Sequence, residues 1–230
     1  PLPAQDLSTV SGCTILARDV LAACQDNDLQ LQILMNNAGV FAEDLSITSD
    51  GLESTFAVNV MAPFVLTSLL LDKLLEAKSR IVIASSISQS RGIHDWEDIS
   101  YTKRRYSAHS AYSESKLLDA MLSMEFADRL KEAGLEPNRI TCNCLDPGTV
   151  NTKMLLTGWG RIGIDVQDAL DEFWLCTSQE VEGVTGQYFV SQASRRAAGS
   201  AYDKNERNKL WQLLADLVPE AAKRWEVLQP

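Results

Sequence analysis

Apolar residues along this chain fall in short continuous runs, separated by longer stretches of mixed polarity. Runs rich in Val, Ile and Leu occupy 31–36, 80–85, 139–145 and 187–190, and each follows a segment of helical length. Strands that are apolar on successive positions are covered on both faces, and a helix between each pair of strands calls for parallel crossovers. The pattern predicts an open α/β sheet. The helical segments are 13–25, 51–78, 107–133, 165–177 and 203–218, with Gly134 placed to end the third and Pro137 beyond it. In 107–133, Leu118, Leu122, Phe126 and Leu130 recur at intervals of four beside Leu117, Met121 and Met124, which predicts burial over a wide face. A second row on the same segment, Ala108, Tyr112, Lys116 and Ala120, sets two functional groups among small residues and leaves space for a flat molecule. With no internal repeat or linker, 1–230 reads as a single domain.

Composition narrows the choice of partners. At 45% hydrophobic and 23% charged, the 230 residues suit a soluble globular protein. A net charge of −10 repels phosphate backbones and argues against nucleic acid. No apolar run approaches the roughly 18 residues of a membrane span, so the expected location is cytoplasmic, with an anchor upstream of Pro1 left open. Cys13, Cys24, Cys142, Cys144 and Cys176 are odd in number and show no C-x-x-C spacing. Only His94 and His109 are available to join them, so a reduced, metal-free interior is expected. Strand alternation puts Cys142 and Cys144 on one face, as packing residues.

The candidate chemistry sits at strand ends and on one helix. Tyr112 and Lys116 are four apart, so their side chains share a face. A free tyrosine has a pKa of about 10, and acid/base work near neutrality requires a fall of roughly three units, about 4 kcal/mol. An ammonium at ~4 Å supplies about 1 kcal/mol in water and about 4 at an effective dielectric near 20, so such a pair works only when screened from solvent. Ser86 follows the second apolar run, at the strand end where ligands of open α/β sheets bind, and can polarise a carbonyl. Ser85 is its rival, and a Ser-Ser pair there also serves as ordinary turn chemistry. Asn59 lies in an apolar helix, and Pro63, having no N–H, frees the carbonyl of residue 59 for a water. In Asn36-Asn37-Ala38-Gly39, small residues after the first run allow close approach of a backbone or ring. Pro147-Gly148 follows the third run, and Thr152 offers a hydroxyl suited to a carboxamide.

Together, Asn-Asn-Ala-Gly, the strand ending Ser85-Ser86, Tyr112-Ser113-Glu114-Ser115-Lys116 and Pro147-Gly148-x-x-x-Thr152 resemble the short-chain dehydrogenase/reductase family over nearly the whole chain. The resemblance implies a doubly wound, parallel-sheet Rossmann-type α/β fold and a nicotinamide cofactor, NADP or NAD. It implies Asn59, Ser86, Tyr112 and Lys116 as a catalytic tetrad. Tyr112 would exchange the proton, Lys116 favour the phenolate and hold the ribose, Ser86 orient the carbonyl, and Asn59 position a relay water. Asp6 is similar to the acidic residue that contacts adenine, while Asn37, Ala38 and Gly39 match the motif beside the adenosine ribose. Residues 87–111, with Ile93-His94-Asp95-Trp96-Glu97-Asp98, and the tail motifs Thr185-Gly186-Gln187-Tyr188-Phe189 and Lys209-Leu210-Trp211 resemble the retinol-dehydrogenase-like branch, which includes the WW-domain oxidoreductase. That branch implies an apolar alcohol or carbonyl substrate such as a retinoid, a steroid or a lipid-derived aldehyde or ketone; Leu155, Leu156 and Trp159, after the Pro-Gly loop, would suit it, and would equally suit an interface. The chain departs from the pattern with Asp146 where His often precedes Pro-Gly, and with Ile83 where Asn is common.

In the family, strands one and two and a glycine-rich phosphate loop precede the point where this sequence begins, so the expected fold is incomplete at its N-terminus. Residues 31–35 then form an exposed apolar edge that invites a second copy of the chain or another partner. Two further functions follow as rivals: a catalytically impaired form acting as a binding or regulatory partner, and a nucleotide-sugar epimerase or dehydratase. The second lacks room for its larger substrate domain after residue 150.

Overall fold

A computed structural model describes residues 2–92 and 95–228, so Ile93 and His94 of the branch signature lie outside the described residues. Among them one sheet holds β1 (Ile33–Asn36), β2 (Ser79–Ala84), β3 (Ile140–Asp146), β4 (Tyr188–Val190) and β5 (Ala193–Arg195), in that order across the sheet. The first four are parallel and β5 returns antiparallel. The order steps in one direction with no reversal among these strands, which leaves β1 as an edge with Ile33 40% exposed. The α/β layering expected from the apolar runs is present, as a Rossmann-type fold.

Helices cover both faces of the sheet. On one, Ile81, Ile83, Cys142 and Cys144 pack beneath α1 (Val10–Asp26), α3 (Ala62–Leu69) and α5 (Ala108–Glu132), backed by α8 (Lys204–Leu217) and α9 (Pro219–Glu226). On the other, Val82, Leu145 and Phe189 meet Leu175 and Cys176 of α7 (Asp171–Thr177). Cys142 and Cys144 therefore share a face, as alternation requires, and burial pushes the Cys142 thiol up to about 12 and that of Cys144 higher still. Five thiols are free, and no group of metal-binding side chains occurs among the described residues. No helix described is long and apolar enough to cross a membrane.

Local chemistry sets the element ends. Ser107 caps α5 by accepting from the Ser110 N–H, and Gly134, at φ +74°, ends it in the left-handed conformation open to glycine. Thr9 caps α1 through the Gly12 N–H, and a Cβ on Gly12 would lie 1.9 Å from the Asp6 carbonyl oxygen, so only glycine fits there.

Three expectations need correction. Segment 51–78 is not one helix: α2 (Ser54–Phe56) runs into a π turn over Ala57–Met61, then α3 and the short α4 (Leu71–Leu75). Pro63 cannot donate, and the N–H of Ala62 just before it reaches back five residues to the Ala57 carbonyl, so the chain absorbs the irregularity as a π-bulge centred on Asn59. Segment 165–177 is helical as α7 only in its second half, after a 3₁₀ turn at Val166–Asp168. The open row on α5 ends at Lys116, because Ala120 is fully buried in the core.

Candidate active site

The carboxyl ends of β1, β2 and β3 lie side by side, since Asn36 pairs with Ile83 and Ala84 with Leu145. The segments that leave them carry the candidate residues, and α5 crosses beneath with Tyr112 and Lys116. The loop after Ser86 is drawn onto α5 from the opposite side. The Asp98 carboxylate accepts the backbone N–H groups of Thr102, Lys103 and Arg104, and Arg104 and Tyr101 then bond Glu114 at 2.7 and 3.0 Å.

Lys116 is 4% exposed. Its ammonium donates to the Ala84 carbonyl at 2.8 Å and pairs with Asp119 Oδ2 at 2.8 Å, and Nζ lies 5.7 Å from the centroid of the Tyr112 ring. Burial opposes the charge on Lys116, but the Asp119 carboxylate outweighs it and keeps the ammonium protonated above its ordinary range. Burial raises the Asp119 carboxyl to about 6 against the pull of Lys116, so both are charged at neutral pH.

The Asn59 side chain is a staple: Oδ1 accepts from the Val40 N–H at 2.8 Å, and Nδ2 donates to the Val40 carbonyl at 3.1 Å and to Ser115 Oγ at 2.9 Å. It fixes the Asn37–Gly39 loop against α5 beside the lysine, and a Cβ on Gly39 would sit 3.7 Å from Lys116 Nζ. Asn37 and Ala38 are exposed, whereas Asn36 is buried and donates to Thr67 Oγ1 at 3.1 Å, tying β1 to α3.

The two serines divide. Ser85 is buried and donates to the Lys116 carbonyl at 2.7 Å, pinning helix to strand. Ser86 is half-buried and accepts from the Ser88 N–H at 3.2 Å, which leaves its own proton to give. After β3, Gly148 adopts φ +79° in an exposed turn, with its N–H on Asp146 Oδ1. Thr152 caps α6 (Lys153–Gly158) by accepting from the Leu155 N–H, so its oxygen is partly committed. Asp6 is exposed at the head of α1, where its carboxylate takes the Ser8 N–H. Leu155 is half-buried and Leu156 exposed on α6.

Around Tyr112 stand Trp159, expected on the substrate side, and two rings not expected at the site, Phe41 and His109. The Phe41, His109 and Trp159 rings form a cluster with it: Trp159 lies 4.7 Å from Phe41, 5.0 Å from His109 and 5.5 Å from Tyr112, and Phe41 lies 5.1 Å from His109 and 5.9 Å from Tyr112. Tyr112 is 9% exposed beneath it. His109 precedes Tyr112 by three on a helix, a spacing that marks a shared face; Phe41 carried no local signal. The Tyr112 hydroxyl has no hydrogen-bond partner among the described residues, in contrast to Tyr101 and Tyr106. A cavity of about 470 Å³ lined by Trp174, Val181 and Phe189 is open to solvent at the β4–β5 edge. No member of the tetrad lines it, so we do not place the chemistry there.

The short chain dehydrogenase family model matches residues 15–158, and the chain belongs to that family. It is 34% identical over 219 residues to retinol dehydrogenase 14 of Homo sapiens, covering 87% of this chain and 63% of that protein. It is 31% identical over 228 residues to polyprenol dehydrogenase of Mus musculus, covering 92% and 65%. The chain thus spans just under two thirds of the length of these relatives. Among solved structures it is similar to a Mycobacterium paratuberculosis protein, with TM-score 0.72, 26% identity and coverage of 93% and 73%. It is also similar to a Brucella ovis short chain dehydrogenase/reductase in complex with a partially ordered NAD, with TM-score 0.57, 25% identity and coverage of 80% and 75%.

Proposed function

We propose that the chain carries the catalytic half of a nicotinamide-dependent oxidoreductase that interconverts an alcohol and a carbonyl on an apolar substrate of the retinoid, steroid or lipid-derived class. One observation carries this reading: a tyrosine hydroxyl with no hydrogen-bond partner among the described residues, beside a buried ammonium and under an aromatic cover. Screening of that kind is what lets a nearby cation favour a phenolate. The relatives' names, retinol and polyprenol dehydrogenase, support an apolar alcohol.

The donor set suits the nicotinamide-ribose end of NADP or NAD. Lys116 has a third ammonium proton beyond its two bonds, and the turns at Asn37–Ala38 and Pro147–Gly148 follow the carboxyl ends of β1 and β3. Thr152 would meet the carboxamide, and Gly39 lets the loop close on Lys116. Asp6 would serve the adenine end. When bound, the cofactor gives or accepts the hydride. Tyr112 Oη takes the alcohol proton in oxidation and returns it in reduction. Ser86 donates to the same substrate oxygen, Asn59 holds the loop and the relay water, and Leu155, Trp159 and Phe41 keep bulk water away. Saturable quenching of Trp emission by NADP or NAD, lost in Trp159→Phe, supports the reading; no response at millimolar cofactor overturns it.

The position of β1 at the edge of the sheet among the described residues, with Ile33 exposed, favours a second reading, a non-catalytic partner-binding form or a homodimer. Obligate association together with full cellular function of Tyr112→Phe would select it.

A further inference from the structure

Resting on the roles just proposed for Tyr112 and Lys116, we propose that Asp119 is a positioning residue: it holds the Lys116 ammonium from behind and sets how readily the Tyr112 phenolate forms. Along α5, Tyr112 lies one turn before Lys116 and Asp119 almost one turn after, so Nζ stands between a phenol and a carboxylate. The carboxylate fixes Nζ jointly with the Ala84 carbonyl, two of its three protons being used there.

Asp119 is fully buried, and its Oδ1 has no hydrogen-bond partner. A buried ion pair with an orphaned oxygen costs stability compared with apolar residues of the same size. The groups that act on it are Lys116 on α5 and, from β3, the Cys144 thiol, which burial keeps neutral. Its charge therefore acts mainly on Lys116 and, through it, on Tyr112. With Nζ 5.7 Å from the Tyr112 ring and 2.8 Å from the carboxylate, an anion behind the cation cancels about two thirds of the cation's effect at the phenol, since Coulomb energy falls as the inverse of distance. With Lys116 kept protonated on the Ala84 carbonyl, removing it lets the ammonium favour the phenolate by about one to two further pH units.

The test needs neither cofactor nor turnover. Phenolate absorbance of Tyr112 is read against pH as the difference between wild type and Tyr112→Phe, and again between Asp119→Asn and Asp119→Asn/Tyr112→Phe. The isosteric amide keeps an acceptor for Lys116 while removing the charge. The expected result is phenolate formation in Asp119→Asn at a pH lower by about one to two units, with Asp119→Ser following the same direction should the amide fold poorly. Coincident curves, or a shift to higher pH, overturn the proposal. Loss of turnover in Tyr112→Phe with coincident curves removes Asp119 alone; a downward shift with full turnover in Tyr112→Phe keeps the electrostatic coupling and removes the oxidoreductase reading.

Discussion

Replacing each serine at the end of β2 by alanine separates the one that builds the site from the one assigned to chemistry. Ser85 Oγ is buried and donates to the Lys116 carbonyl at 2.7 Å, across the β2–α5 interface. Ser85→Ala removes one neutral hydrogen bond, worth about 0.5–1.5 kcal/mol, and leaves a small void, for a total of about 1–2 kcal/mol. For a domain of this size each kcal/mol moves Tm by roughly 2–4 °C, so the expected fall is about 2–8 °C. Ser86 spends its oxygen on the Ser88 N–H at a half-exposed turn, so Ser86→Ala costs at most about 1 kcal/mol. Its proton is the one offered to a substrate oxygen, and losing an oxyanion-type donor lowers kcat by about 10²–10³. The assay pairs thermal unfolding of both variants with steady-state kinetics on an apolar alcohol. Expected are a less stable Ser85→Ala that turns over as wild type and a stable Ser86→Ala with depressed kcat. The opposite division, or equal kinetic losses, refutes the assignment.

Gly12→Ala forces a methyl to within 1.9 Å of the Asp6 carbonyl, so the start of α1 must shift; a loss of about 2 kcal/mol or more is expected in urea unfolding. Asp119 adds a pH dependence. Its carboxyl is raised from 3.8 to about 6 by burial, so the folded state binds the proton more tightly than the unfolded chain. That contribution to stability is complete below about pH 4 and is lost as pH rises through 6, amounting to about 3 kcal/mol. Relative to Asp119→Asn, wild type should therefore weaken between pH 4 and 6 in urea titrations, and parallel curves would count against it.

Long, strongly patterned elements were legible before any coordinates. Helix α5 matched 107–133 to within a residue at each end because its apolar rows, Ser107 cap and Gly134 terminator agree. The four apolar runs became β1 to β4 for the same reason. Strand β5 was not, since Ala193-Ser194-Arg195 has no apolar alternation and exists through its pairing with β4. Nor was α9, whose first residue, Pro219, reads locally as the end of α8 rather than a new start. The π-bulge was half visible: Pro63 announced an irregularity, but its form depends on packing around Asn59. At the site, spacing on one helix brought Tyr112 and Lys116 forward. Asp119, a step of three from Lys116, is not distinguished by any sequence pattern, because none says which carboxylate a buried ammonium will choose. Phe41 reaches the aromatic cluster only through the fold of its loop.

Hydride transfer by wild type and Tyr112→Phe, followed through reduced-cofactor absorbance with NAD or NADP and a series of apolar alcohols, tests the central claim most directly. The account predicts turnover by wild type and a fall in kcat of about 10²–10⁴ in the variant at unchanged Tm. Equal turnover by the two proteins, or none by wild type with either cofactor, would contradict it.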